Sequence, residues 1–350
     1  MIKRIPNKAV FLFFIGLALL LLASCSKKDD TPTEPKSAVS KSAPIPVSFA
    51  TSKNVWCALG LLAKSKGFFA EEGLDVNINI QSAGRYCMDA LLSKSAQFGT
   101  VVEVNVAYVG FTGSKDVTVV ASVVESVSFA VVADKRRGIL VPQDLKGKSL
   151  AFSPGTGGEL FAYRFLDHNK IKREDVEIRK IQPLGIQEAL SSAGGVAAAA
   201  TWEPFYLNCL KALGTNGIAF RDPEAYRGYM FLGAQTGWAK QNPAIVQSFI
   251  RALIKAERYL TEHSSEAQDV LGQQINFDKE TLLALWGDFK FTVAMDKARL
   301  LRDTTGVAKT IMETQPDFAS KTLPVYDDYF DSSFLEHAVK APAAKSLFKN

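Results

Sequence analysis

The stretch AFSPGTGGELF, residues 151–161, places Gly155, Gly157 and Gly158 just ahead of a helical-looking run. Glycines so spaced let a backbone approach a bound group closely, and a nucleotide phosphate is the first candidate. A Walker A loop needs G-x-x-x-x-G-K-[ST], and no lysine follows Gly157 or Gly158. A dinucleotide fingerprint needs G-x-G-x-x-G, and Leu160 takes the third glycine's place. What remains is Thr156-x-x-Glu159, the pattern of a capping box at a helix start. The amides of Gly157 and Gly158 would then face negative charge or acceptor oxygens, if a ligand is there to be held.

Other reactive constellations are missing from the sequence. It has no G-x-S-x-G, no H-E-x-x-H and no C-x-x-C, and His168, His263 and His337 are scattered. No metal and no cofactor are expected. Trp56 and Trp202 are candidates to stack on a ligand or to pack in the core. Arg85, after Gly84, suits an anionic head group or a solvated helix start. Glu103 and Glu203 suit an amino group or an amidine-like edge, and Glu159 reads as the capping partner of Thr156.

The N-terminus begins MIKRIPNK and continues into an apolar run from Ala9 to Ala23. A basic start, a short apolar core and small exit residues describe an export signal, too short for a membrane span. Leu22-Ala23-Ser24-Cys25 resembles the lipobox of bacterial lipoproteins, which implies cleavage before Cys25 and lipidation (palmitate among the acyl chains) of its thiol. The next stretch, to Pro44, is polar and rich in Pro and Ser, the composition of a disordered tether.

Lys plus Arg total 41 against 36 Asp plus Glu, a formal net charge of +5, and loss of Lys3, Arg4 and Lys8 with the signal leaves +2. No basic stripe points to nucleic acid. With Cys25 lipidated, Cys57, Cys87 and Cys209 remain. They read as free, buried thiols, with a Cys57–Cys87 bond the alternative.

From Ile45 onward, short β-branched or alternating runs interchange with helical ones. Strands are expected at Val47–Ala50, Asp75–Gln81, Gln97–Thr100, Val117–Val124, Ser149–Phe152, Val176–Ile181 and Val196–Thr201. The first helix is expected from Val55 to Phe69. Such alternation predicts α/β folding with mainly parallel sheets flanked by helices. The strand, polar loop and helix after Val47 recur in kind after Leu150, which predicts two similar lobes. From Asn242 helical patterns dominate, with starts near Pro243 and Asp278.

Three segments resemble one large family. Lys66, Gly67, Phe69, Gly73, Leu74 and Val76 in LLAKSKGFFAEEGLDVNI match a K-G-x-F-x-x-x-G-L-x-V signature. DLKGKSLAFSPGT (residues 144–156) and AAAATWEPF (residues 197–205) are similar to two further segments of that family. It comprises the solute-binding proteins of ABC importers for nitrate, taurine, alkanesulfonates and thiamine pyrimidine precursors. The resemblance implies a two-lobed periplasmic-binding-protein type II architecture, with two crossings between lobes and the ligand held between them. The crossings are expected within Val123–Val131 and Phe231–Trp238. The implied organisation is a signal (1–24), lipidated Cys25 and tether (25–44), lobe 1 (45–127), lobe 2 (128–234), and a return to lobe 1 with C-terminal helices (235–350).

Ligands of α/β sheets sit beyond the carboxyl ends of the strands. That places Asn54, Trp56, Gly84, Arg85, Thr100, Glu103, Ser153, Thr156, Gly157, Gly158, Trp202 and Glu203 around one cleft. The implied protein is a monomeric, lipid-anchored binder of a small polar or anionic solute. It would face the periplasm or exterior and serve an ABC permease and its ATPase. The alternatives are an enzyme on this fold, such as one making a thiamine pyrimidine, and a ligand-sensing lipoprotein.

Overall fold

The computed structural model describes residues 43–340. The export signal (1–24), Cys25 and nearly all of the tether fall outside them. No helix among the described residues is long and apolar enough to cross a membrane.

The strands are, in chain order, β1 (Ile45–Thr51), β2 (Leu74–Ile80), β3 (Phe98–Val102), β4 (Val117–Ser126), β5 (Phe129–Asp134), β6 (Ser149–Phe152), β7 (Glu177–Lys180), β8 (Ala198–Trp202), β9 (Gly217–Phe220), β10 (Gly228–Gln235) and β11 (Phe289–Ala294). They form two sheets, ordered β11-β4-β10-β3-β1-β2 and β7-β6-β8-β5-β9. Each contains a parallel triplet laid out the same way, with the first strand between the second and third: β2-β1-β3 and β7-β6-β8. The similarity of the two lobes is therefore real at the level of topology.

Around the triplets the sheets are mixed rather than mainly parallel. β10 runs antiparallel to β3 and β4, β11 to β4, and β5 to both β8 and β9. Strands that return the chain from one sheet to the other must run backwards, and local hydrophobic pattern carries no record of strand direction. The first crossing is short: β4 ends at Ser126 and β5 starts at Phe129. The second lies in residues 221–227, between β9 and β10, and β10 already belongs to the first sheet. The return is thus earlier than Phe231–Trp238, because GYMFLGAQ, read as part of the crossing, is a buried strand.

Glycine shapes the first helical unit. Val55–Cys57 forms a 3₁₀ turn and Ala58–Ser65 a helix, but Gly67 at φ 76° breaks the chain before Phe68–Glu71. A left-handed φ favours glycine there, and the expected single helix becomes two pieces. The helix Pro243–Glu262 packs over this unit. Phe249 stacks on Phe98 with centroids 4.1 Å apart and meets Phe49 edge-on at 5.1 Å. Arg251 of the same helix donates to Glu72 at 2.8 Å in a buried ion pair. Asp278 caps the helix Lys279–Trp286 through the Thr281 amide at 2.7 Å, as its position suggests. The C-terminal part also contributes β11, which its helical pattern hides.

Candidate functional site

The third strand of each parallel triplet ends at a glutamate. Glu103 follows β3 and Glu203 follows β8. In each triplet the chain leaves the central strand on one side and returns on the other, so β1/β3 and β6/β8 are switch points, where ligands of open α/β sheets collect. One cavity of about 40 Å³ lies between the carboxyl ends of both pairs. The first sheet supplies Ser52, Asn54 and Trp56 after β1, and Gly84, Arg85, Val102 and Glu103. The second supplies Phe129, Thr156, Gly157 and Trp202. The volume holds roughly three water molecules.

Aromatic faces dominate the wall. Trp56 meets Phe129 edge-on at 5.3 Å, and Phe129 meets Tyr226 at 4.9 Å. Gly157 and Gly228 leave room for that packing: a Cβ on Gly157 would stand 3.0 Å from the Phe129 ring, and one on Gly228 would stand 3.1 Å from Trp56.

Polar groups tie the sheets together across the cavity's rim. Arg85 Nη1 donates to the Pro154 carbonyl at 3.0 Å, and Asn105 Nδ2 to the Gly155 carbonyl at 2.9 Å. Tyr86 donates to Gln182 at 2.6 Å, and Tyr108 to Glu159 at 3.1 Å. Trp56 Nε1 donates to Glu203 Oε2 at 2.7 Å. On the first sheet's side alone, Glu103 accepts from the hydroxyl of Tyr226 in the second crossing and, at 3.0 Å, from the Tyr229 amide of β10.

Burial governs the charges. It pushes the Glu103 carboxyl up to about 7, against the opposing pull of its Tyr226 and Tyr229 donors. Glu203, fully enclosed, is raised well above the ordinary carboxylate range for the same reason, and the Trp56 donor offsets only part of it. At physiological pH the Glu103 carboxyl is therefore divided between its protonated and ionised forms. Among the described residues no group of three or more His, Cys, Asp or Glu side chains is placed to hold a metal ion.

Residues 57–267 match the sequence profile described as NMT1/THI5 like. The chain belongs to the NMT1/THI5-like family. A protein of Brucella abortus named as a binding protein is 24% identical over 271 residues, which span 74% of this chain and 81% of that one. The alkanesulfonate-binding protein SsuA from Xanthomonas axonopodis pv. citri, solved bound to MOPS, superposes with a TM-score of 0.71 at 18% identity. That alignment covers 83% of this chain and 100% of SsuA. The periplasmic nitrate-binding protein NrtA from Synechocystis gives 0.63 at 13% identity, over 87% of this chain and 91% of NrtA. The shared fold is the two-sheet α/β architecture of periplasmic binding proteins.

Within this NMT1/THI5-like chain, Asn54, Trp56, Gly84, Arg85, Glu103, Thr156, Gly157 and Trp202 come together on the cavity. Thr100, Ser153, Gly158 and Glu203 do not line it. Thr100 is buried beneath, donating to the Thr51 hydroxyl at 3.1 Å with the Cys57 and Cys87 thiols beside it. Ser153 is fully buried, and its carbonyl accepts from Thr156 Oγ1 at 2.7 Å. Gly158 sits against β8, where a Cβ would stand 3.1 Å from the Ala200 carbonyl, and Glu203 lies behind Trp56.

The capping box does not form. The Thr156 side chain makes no cap hydrogen bond, and Glu159 accepts from the Gly155 amide at 2.7 Å and from Gln315 Nε2 at 2.5 Å. Glu159 thus still reaches back to its own helix start, one residue before the expected N-cap amide, while Tyr108 and Gln315 of the other lobe also donate to it. Tyr226, Gly228, Tyr229 and Met230 also line the cavity and were missed. The Asp222-Pro223 turn signal followed by the aromatic run around Gly228 would have marked them. Cys57, Cys87 and Cys209 are buried free thiols.

Proposed function

We propose that this chain is the lipid-anchored solute-binding component of an ABC importer, tethered through Cys25 on the outer side of the membrane. Working as a monomer, it captures a small solute between its two sheets and presents it to a permease driven by an ATPase. Family membership, the relatives named as binding proteins and the placement of the cavity at both switch points support this reading. So does the thin set of polar bonds across the rim, which a solute can replace as the lobes part and close.

The observation that carries the choice of solute is the wall itself: aromatic planes, one guanidinium, and a carboxyl whose protonation is balanced near neutrality. Such a wall suits a flat nitrogen heterocycle of the pyrimidine type, stacked on an aromatic face, with its amino edge toward Glu103. Sulfonate or nitrate would need more than Arg85, whose guanidinium already serves the Pro154 carbonyl. An enzyme using a cysteine nucleophile is disfavoured, since burial raises the Cys57 thiol above its ordinary value.

Calorimetry of the mature chain against aminopyrimidines, taurine, alkanesulfonates and nitrate tests the reading. Micromolar binding of an aminopyrimidine with a change in tryptophan emission is expected. Tight binding of a sulfonate or nitrate overturns the solute class, and no binding across the panel overturns the transport role.

A further inference from the structure

A second, larger cavity of about 550 Å³ lies on the far side of Glu103, Tyr226 and Tyr229, which line both spaces. One wall is the second crossing, with Glu224 and Arg227. The helix Gly157–His168 brings Arg164 from the second sheet's side, and the helix Lys297–Thr314 brings Arg299, Arg302 and Asp303 from the first.

The four guanidiniums are unequally engaged. Arg227 and Arg299 share Glu125, at 3.0 and 3.3 Å. Arg302 reaches only its neighbour Asp303, at 3.6 Å, and its side chain is 72% exposed. Arg164 takes no part in the ion pairs around the cavity among the described residues, and its buried Nε has no hydrogen-bond partner. Its Nη2 lies 3.9 Å from where a Cβ on Gly306 would stand, so the guanidinium already reaches across to the opposite helix. Only the more distant Glu103 carboxyl offsets its charge, and a half-buried guanidinium without an ion pair in a solvent-open cavity is a poor arrangement unless an acceptor visits it.

We propose that this cavity binds a small soluble oxyanion of the phosphate class, held between Arg164 of one lobe and Arg302 of the other. Planar guanidiniums present paired donors that match phosphate oxygens. The two arginines stand on helices of different lobes, so the anion bridges them and favours the arrangement in which they face each other. An anion there and a solute in the cleft then reinforce each other's binding.

The test uses the mature chain and inorganic phosphate in a low-salt, phosphate-free buffer, and needs no knowledge of the cleft solute. Calorimetry should give saturable one-site binding at millimolar phosphate or below. Arg164→Gln should weaken it about tenfold or more and Arg302→Gln several-fold, consistent with lost charge-assisted bonds. Arg258→Gln, on an exposed helix face, should bind as the parent does. If Arg164→Gln does not fold, Arg302→Gln decides, because its side chain is exposed. Absence of saturable binding, or parent-like affinity in the arginine variants, overturns the proposal. So does arginine-dependent recruitment to phosphatidylglycerol vesicles without a response to phosphate.

Discussion

Trp56 and Glu203 join the two sheets through a buried hydrogen bond, indole Nε1 to carboxyl Oε2, at 2.7 Å. Trp56 follows β1 of the first sheet and Glu203 follows β8 of the second. The acid behind the cavity wall thus fixes the plane of the ring that faces it.

Burial raises the Glu203 carboxyl well above its ordinary range and so favours the protonated form; Glu203→Gln, which keeps shape and neutrality, should change stability by less than about 1 kcal/mol. Glu203→Ala leaves the indole N–H unpaired and opens space, at a cost of about 1–3 kcal/mol. Urea unfolding at neutral pH compares the two. A glutamine variant as damaged as the alanine variant would mean that the carboxyl is ionised.

Stability should fall as pH rises through the range set by Glu103. Its carboxyl goes from the ordinary 4.5 to about 7 in the folded chain. The folded state therefore binds the proton more tightly, and stability present at low pH is lost as that proton leaves. At 1.36 kcal/mol per unit the loss is on the order of 2–4 kcal/mol. Glu159 and Glu203, raised by burial, act with the same sign. The urea midpoint should be lower at pH 8 than at pH 5, with a smaller difference in Glu103→Gln. A midpoint that rises over this interval would contradict the assignment.

Gly157→Ala tests the tightness of the aromatic wall. The added methyl stands 3.0 Å from Phe129, whose ring lines the cavity. Overpacking of this kind costs about 1–3 kcal/mol. Solute affinity should drop along with thermal stability. Unchanged affinity would place the solute elsewhere.

The three described thiols should be slow to react. Cys87 and Cys209 are each pushed up to about 12 by burial, and Cys57 is raised for the same reason. An aromatic disulfide reagent at pH 8 should label them only at the rate of unfolding, and all at once in urea. Rapid labelling of Cys57 in the native chain would reopen the case for a nucleophile beneath Trp56.

The parallel triplets were legible because their strands are short apolar or alternating runs bounded by turn signals, alternating at Leu74–Ile80 and simply apolar at Ser149–Phe152 between Gly147 and Pro154. β10 was not, since GYMFLGAQ is buried on both faces and has no alternation to read. The site residues on loops and helix starts, such as Asn54, Arg85 and Gly157, followed from strand ends alone. Which way a strand-end side chain turns is a tertiary matter, so Thr100 and Ser153 went to the core. Glu159 kept a local donor, the Gly155 amide, but Tyr108 and Gln315, far away in sequence, could not be read from the local pattern.

The two connections between sheets differ in length: Val127 and Ser128 alone on one side, residues 221–227 on the other. A door hung on one tight pin and one slack strap swings about the pin. Spin labels flanking Ser128 should therefore keep their separation when solute is added. Labels beside Tyr86 and Gln182, at the opposite edge of the jaws, should report the full travel.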